Sequence, residues 1–173
     1  MLNFNKMILK PKPKYFIFDV VNVSYIANAS FHKRQMKLLE VIRNAVKYVT
    51  IPIIELCLST RQVKNLMGDD SLYDLVKKHF PGNEIIVNLV DEETSVGIIG
   101  DKKTDFDDML VLCRAKYHSR LGNNYYIISE DNFENEMNGD RLFILKYTRS
   151  DGGKCADIFT EGPHILEYIK KLK

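Results

Sequence analysis

Aspartates fall where predicted strands end or where the next helices begin, and this placement suggests metal chemistry. Asp19 lies near the end of an apolar run, Asp105, Asp107 and Asp108 open a helical stretch, and Asp131 follows a further apolar run. In a parallel sheet, the carboxyl ends of the strands and the amino ends of the following helices meet at one rim. We therefore expect these carboxylates to converge there.

A cluster of carboxylates without other ligand types selects one class of metal. Gathered carboxylates repel one another, so some must bind protons or a cation must neutralise them. A zinc site is not expected, because neither the cysteines nor the histidines show zinc-ligand spacing. Oxygen ligands select hard ions, so the sequence predicts Mg²⁺ or Mn²⁺. Such an ion polarises a phosphoryl oxygen and lowers the pKa of bound water. The sequence thus predicts phosphodiester hydrolysis without a covalent nucleophile.

Several of these acids also have a purely structural explanation. Thr104, followed three residues later by Asp107, forms a capping-box pattern, and Asp131 can serve simply as a helix start. Asp19 is different, because a carboxylate that interrupts an apolar strand needs a partner to offset its desolvation. Asp108 lies beyond the capping position. We expect the carboxyl groups of Asp19, Asp108 and Asp131 to lie within about 8 Å of one another.

The order of apolar runs and helical patterns predicts the fold class. Apolar, β-branched runs indicate strands, and apolar residues recurring every three to four positions indicate helices. The predicted strands are 15–21, 53–58, 84–90, 125–128 and 142–145, and the predicted helices are 35–49, 71–80, 105–118, a short one after 131, and 164–173. This alternation predicts an α/β domain of three layers, with a mostly parallel central sheet flanked by helices.

Length and composition leave room for one domain. The chain has 173 residues, 45% of them hydrophobic, which suffices for a sizeable core but not for a second domain. Alternating lysine and proline at 10–14 exclude a helix, so 1–14 is predicted to be a leader and 15–173 the domain.

The amphipathic C-terminal helix is expected to dock on the core. The polar stretch 91–103 is expected to be a mobile loop beside the site.

Charge and compartment signals are modest. A net charge of +2, from 25 basic and 23 acidic residues, means that any nucleic-acid-binding surface must be local. Arg61, Lys102 and Lys103 fall near the predicted rim, where they can contact phosphates. The absence of a long apolar segment and of paired cysteines predicts a soluble, intracellular protein of the cytoplasm or nucleus, with no membrane partner. The oligomeric state stays open, a homo-oligomer included.

Three sequence elements resemble a known family. "FDVVNVSY", with Asp19 and Asn22, looks like the first-strand signature of PIN/NYN ribonucleases. "DFDDMLVLCRA" resembles their central helix with paired aspartates, and "IISEDNFEN", with Ser129 and Asp131, resembles their element after the fourth strand. Order and spacing are closest to the Regnase-type and protein-only RNase P catalytic domains, and the resemblance covers residues 15–145.

The resemblance implies a PIN-like domain that cleaves RNA, as an Mg²⁺- or Mn²⁺-dependent endoribonuclease acting on single strands. Its catalytic residues would be Asp19, Asp107, Asp108 and Asp131. Its metal ligands would be Asp19, Asp108, Asp131 and Asn135. Its substrate-binding residues would be Asn22, Arg61, Lys102, Lys103 and Ser129.

Two departures from the family pattern keep an alternative open. Asn135 stands where those relatives have a further aspartate, and Glu130 replaces an asparagine. An amide can coordinate a metal but brings no charge, which weakens affinity for a second ion. The alternative is a catalytically weakened PIN-like module that binds RNA or a protein partner. A phosphohydrolase of the haloacid dehalogenase type would need a second aspartate where Val21 stands.

Overall fold

The computed structural model describes residues 10–68, 71–91, 98–99, 102–103, 106–129, 131 and 144–145. The strands in chain order are β1 (Lys14–Asp19), β2 (Pro52–Ser59), β3 (Glu84–Val90), β4 (Ile98–Ile99), β5 (Lys102–Lys103), β6 (Asn124–Ile128) and β7 (Ile144–Leu145). Within this part of the chain, β4 and β5 pair antiparallel with each other, and the other five strands form one parallel sheet.

Helices cover both faces of the sheet. They are α1 (Val20–Ser24), α2 (Phe31–Val46), α3 (Thr60–Met67), α4 (Leu72–His79) and α5 (Phe106–Arg120). Successive residues of a strand point to opposite faces. Phe16 and Phe18 therefore pack with α1 to α4 in the larger core, while Ile17 packs on the other face with Val111 and Ala115 of α5. The predicted three-layer α/β arrangement with a parallel sheet is confirmed.

The strand order creates a natural position for a site. The order is β3-β2-β1-β6-β7, so the chain builds outward from β1 to β3 and then returns to the other side of β1 with β6. In such sheets, ligands bind beyond the carboxyl ends of the strands where the order reverses. That point lies between β1 and β6.

The first strand is shorter than predicted. β1 ends at Asp19, and Val20 and Val21, which we predicted to continue the strand, open α1 instead. Asp19 explains the change, because its carboxylate accepts a hydrogen bond from the backbone N–H of Asn22 at 3.4 Å and caps the helix. A local cap thus overrides the strand preference of two valines.

Serine caps also set the helices on the larger core. Ser30 caps α2, which spans 31–46 where the apolar spacing predicts 35–49. Ser59 caps α3, a helix that the sequence pattern did not predict, with 3.2 Å between its Oγ and the backbone N of Gln62. α4 and α5 match their predicted positions within two residues. Polar caps fix helix starts more sharply than apolar periodicity does.

The remaining predictions meet the structure only in part. The polar stretch 91–103 contains the β4–β5 pair, so it has some regular structure. Most of the leader, the helix after 131 and the C-terminal helix lie outside the described residues.

Among the described residues, no helix combines the length and the apolar character that crossing a membrane requires.

Candidate metal centre

Three aspartates meet at the point where the strand order reverses. Asp19 is the last residue of β1, Asp108 lies in the first turn of α5, and Asp131 follows β6. One carboxylate oxygen from each lies within 4.8 Å of the other two. The expectation that these groups lie within about 8 Å of one another is confirmed.

Asp19 is the buried member of this triad. Only 2% of its surface is exposed, whereas Asp108 is half-buried and Asp131 is exposed. The pKa of Asp19 is raised to about 7, chiefly by burial and also by the nearby carboxylates of Asp131 and Asp107, while hydrogen bonds from Ser129 and Asn22 oppose the rise. A buried carboxylate beside like charges is stabilised by a proton or by a cation.

Ser129 connects two of the acids. Its side chain is fully buried at the end of β6, and its hydroxyl donates to Oδ2 of Asp19 at 2.8 Å. Oγ of Ser129 also accepts a hydrogen bond from the backbone N–H of Asp131, at 3.1 Å. One hydroxyl therefore orients the carboxylate of Asp19 and the chain that carries Asp131. A direct contact between Ser129 and substrate stays a prediction.

Asn22 connects the same pair from the other side. Its backbone N–H donates to Oδ1 of Asp19, and its side-chain Nδ2 donates to Oδ2 of Asp131 at 3.1 Å. Asp19 and Asn22 are three residues apart in "DVVN", and this interval places their side chains on the same side of α1. The structure thus gives Asn22 an orienting position within the cluster.

Asp107 and Asp108 are contributed to the cluster by helix α5. Both lie in the first turn of α5, where the helix dipole favours negative charge. Asp107 is mostly buried, at 9% exposure, and its charge contributes to the raised pKa of Asp19. Both line the cleft, but only Asp108 belongs to the close triad.

The carboxylates open into a cleft of about 240 Å³. Val21 and Tyr25 form its apolar and aromatic wall, beside Asn22 and the four aspartates. The sequence pattern did not predict this wall, because Val20 and Val21 were assigned to the end of the first strand and no helix was predicted after Asp19. In a helix that Asp19 caps, Val21 and Tyr25 are four positions apart and share one face.

The basic residues that were predicted to bind phosphate lie in different elements of the structure. Arg61 is exposed in the first turn of α3, and it is not among the described residues that line the cleft. The backbones of Lys102 and Lys103 pair with Ile99 and Ile98 in the β4–β5 ladder. Asn135 and Glu130 lie outside the described residues. Phosphate binding by these residues stays a prediction.

A second polar cluster, which the sequence analysis did not predict, is formed by residues that are not among those described as lining the cleft. Glu55, in the middle of β2, is fully buried and accepts two hydrogen bonds from Arg114, each 2.9 Å long. Nε2 of His118 lies 2.6 Å from the same carboxylate. The rule that singled out Asp19, a carboxylate inside an apolar run, would have found Glu55 as well. Here a cation of the chain itself neutralises the acid.

The donor set of the triad fits a hard divalent cation. All three ligand atoms are carboxylate oxygens, and their mutual separation permits a shared ion at usual coordination distances. Glu55 lies beside a cation, Arg114, whereas the charged groups that raise the pKa of Asp19 are the carboxylates of Asp131 and Asp107. A bound divalent cation would offset negative charge that these carboxylates carry.

Comparisons of the chain with protein-family models, with curated proteins and with solved structures found no match.

Proposed function

We propose that this protein is a metal-dependent endoribonuclease with a PIN/NYN-like architecture, in which Asp19, Asp108 and Asp131 hold Mg²⁺ or Mn²⁺. The observation that carries the proposal is the convergence of three carboxylate oxygens within 4.8 Å at the reversal of strand order. Oxygen-only clusters of this kind suit hard cations that act on phosphates.

The bound ion would polarise a phosphodiester oxygen and lower the pKa of a water molecule. Asp19 is held by Ser129 and Asn22, so its oxygens have little freedom to rotate away from the ligand position. Asp131 is the most exposed acid, and in this proposal it accepts the proton from the attacking water. The water forms a new P–O bond as one ester P–O bond breaks, which leaves a phosphomonoester and a hydroxyl.

Support for a nucleic-acid substrate comes from the shape of the cleft and from the sequence resemblance. The cleft is open, and it lies at the rim of the sheet, where an extended chain can approach the carboxylates. RNA rather than DNA, and single strands rather than duplexes, follow from the resemblance to PIN/NYN ribonucleases.

The test combines cleavage with metal binding. The full chain is incubated with matched single-stranded RNA and DNA oligonucleotides in EDTA, Mg²⁺ or Mn²⁺, and products are resolved on gels. We expect internal cleavage of RNA that requires the divalent ion and is lost in Asp131→Asn. Asp74→Asn is the matched control, because Asp74 is an exposed aspartate in the first turn of α4.

Two results would count against the proposal. Cleavage that persists in EDTA would exclude a metal mechanism. Failure to bind Mn²⁺ and to cut RNA would leave the binding module that Asn135 keeps open as the better hypothesis.

A further inference from the structure

A second cavity lies beside the acidic cleft. It occupies about 430 Å³ between α1, α2 and α3, within the size range of small-ligand sites. Val21 and Tyr25 line both this cavity and the cleft, so one wall separates the two. We call this space the α1–α3 cavity.

The short helix α1 explains why the two spaces adjoin. Asn22 faces the carboxylates, while Val20 and Ser24, four residues apart, line the α1–α3 cavity. Val21 and Tyr25, also four residues apart, form the shared wall. A group bound in the cavity therefore lies next to whatever occupies the cleft.

The floor and the mouth of the cavity have different character. Val20, Leu58 and Leu66 are buried and give it an apolar floor. Tyr25 and Phe31 are large aromatic residues, each 48% exposed, and both line it. An apolar floor with exposed aromatic rings suits a flat, aromatic ligand that stacks.

The polar lining is cationic and rich in donors. Arg34 and Lys64 contribute positive charge, and none of the lining residues that the structure describes is acidic. Nε of Arg34 is buried and has no hydrogen-bond partner among the described residues. A buried N–H without an acceptor is costly, and an acceptor on a ligand would satisfy it. The amides of Gln62 and Asn65 line the same space and can also bond a base edge.

We propose that the α1–α3 cavity binds one unstacked base of single-stranded RNA, next to the phosphodiester held over the acidic cleft. This inference rests on the proposed function for the position of the phosphate. The base would stack on Tyr25 and accept a hydrogen bond from Arg34. Charge separation fits this arrangement, since acids line the cleft and cations line the cavity.

The test isolates the base from the backbone. Fluorescent RNA hexamers are made entirely of abasic ribose residues, or with one central adenine or uracil. Binding to the full chain carrying Asp108→Asn is measured by anisotropy in EDTA, so that neither metal nor cleavage enters the readout. We expect at least one of the two bases to strengthen binding roughly tenfold over the fully abasic strand, the usual contribution of one stacked base.

Variants assign that gain to the cavity. Tyr25→Ala and Arg34→Met, each added to the same background, should abolish the difference between base-bearing and abasic strands. Lys33→Met removes the same charge from the neighbouring, exposed position on α2 and should preserve it. Circular dichroism and melting temperature check that each variant folds, and two independent variants guard against the loss of one.

Several outcomes would overturn the inference. Equal affinity for base-bearing and abasic strands would mean that the cavity does not bind a base, for example because another part of the chain fills it. An Arg34→Met variant that weakens both strands by one factor would indicate a phosphate contact instead. Cleavage by the wild-type chain is assayed separately, so failure of the nuclease proposal and failure of base binding are distinguishable.

Discussion

Ser129 donates its hydroxyl to Oδ2 of Asp19 at 2.8 Å, although the two residues are 110 positions apart in the sequence. The bond spans the ends of β1 and β6, the adjacent strands between which the strand order reverses. Since the same hydroxyl oxygen accepts the N–H of Asp131, the geometry of the triad depends on a residue that is itself no carboxylate.

Replacing Ser129 should therefore loosen the metal site without removing a ligand. We expect Ser129→Ala to cost about 2 kcal/mol of stability, because a buried carboxylate loses a donor. Mn²⁺ affinity should fall roughly tenfold to a hundredfold, as for other residues that orient metal ligands. Urea unfolding and calorimetric Mn²⁺ titration measure the two effects.

Ser119→Ala is the control for this change, because Ser119 is an exposed serine on α5. It should leave both quantities within error of wild type. Unchanged Mn²⁺ affinity in Ser129→Ala would contradict the orienting role of this hydroxyl.

The raised pKa of Asp19 predicts how stability depends on pH in metal-free buffer. The folded pKa is about 7 against an ordinary value of 3.8, so between these values the folded state binds a proton that the unfolded state releases. This contribution is fully present below about pH 4 and is lost as the pH rises through about 7. The slope approaches 1.4 kcal/mol per pH unit for one proton.

Urea unfolding in EDTA across this range isolates the effect when wild type is compared with Asp19→Asn. The stability of wild type relative to the variant should fall with rising pH, and saturating Mn²⁺ should remove the fall because the ion prefers the ionised carboxylate. Parallel pH profiles for wild type and Asp19→Asn would contradict the shift.

Much of the site was predictable because one rule applies to every strand. In a parallel sheet the carboxyl ends share a rim, so Asp19 and Asp131 had to converge whatever the loop details. Asp108 followed from its place near the start of a predicted helix, which is the first turn of α5. The rule needs only the type and order of the elements, which apolar runs reveal well.

Other features depend on contacts that no local pattern contains. Ser129 and Asp19 became partners through strand pairing, and Glu55 finds Arg114 across 59 positions. The α1–α3 cavity requires α3, which has few apolar residues and begins at the polar cap Ser59. The partners of such groups are determined by the fold, which brings residues from distant parts of the sequence together.

The Glu55 cluster should support the fold and not the chemistry. Arg114→Met removes two hydrogen bonds from a fully buried carboxylate and should cost about 3 kcal/mol. Glu55→Gln combined with Arg114→Met should recover part of this loss, because it removes the buried negative charge and still leaves a polar partner for His118. Thermal melts compare these variants with Arg120→Met, which changes an exposed arginine of the same helix.

Mn²⁺ affinity gives the second readout for this cluster, because Glu55 and Arg114 do not line the acidic cleft among the described residues. It should stay at the wild-type value in every folded variant. A Mn²⁺ affinity that drops with Arg114→Met would connect the two clusters and contradict their independence.

The same substitution, Asp108→Asn, has opposite consequences for stability in a metal site and in a structural cluster. In a crowded site without metal, losing this charge relieves repulsion with Asp19 and Asp131, so the melting temperature should hold or rise. If Asp108 instead stabilises α5 through its dipole, the loss should cost on the order of 1 kcal/mol and lower the melting temperature.

Metal completes the distinction, because an ion that binds only the folded state raises its stability. Wild type should gain several degrees from saturating Mn²⁺, whereas Asp108→Asn should gain less and lose RNA cleavage. Differential scanning fluorimetry with and without Mn²⁺ measures both, and Asp74→Asn, in the equivalent first turn of α4, should respond as wild type does. An Asp108→Asn protein that melts lower in EDTA, yet gains as much from Mn²⁺ as wild type, would assign this carboxylate to the fold and remove it from the metal site.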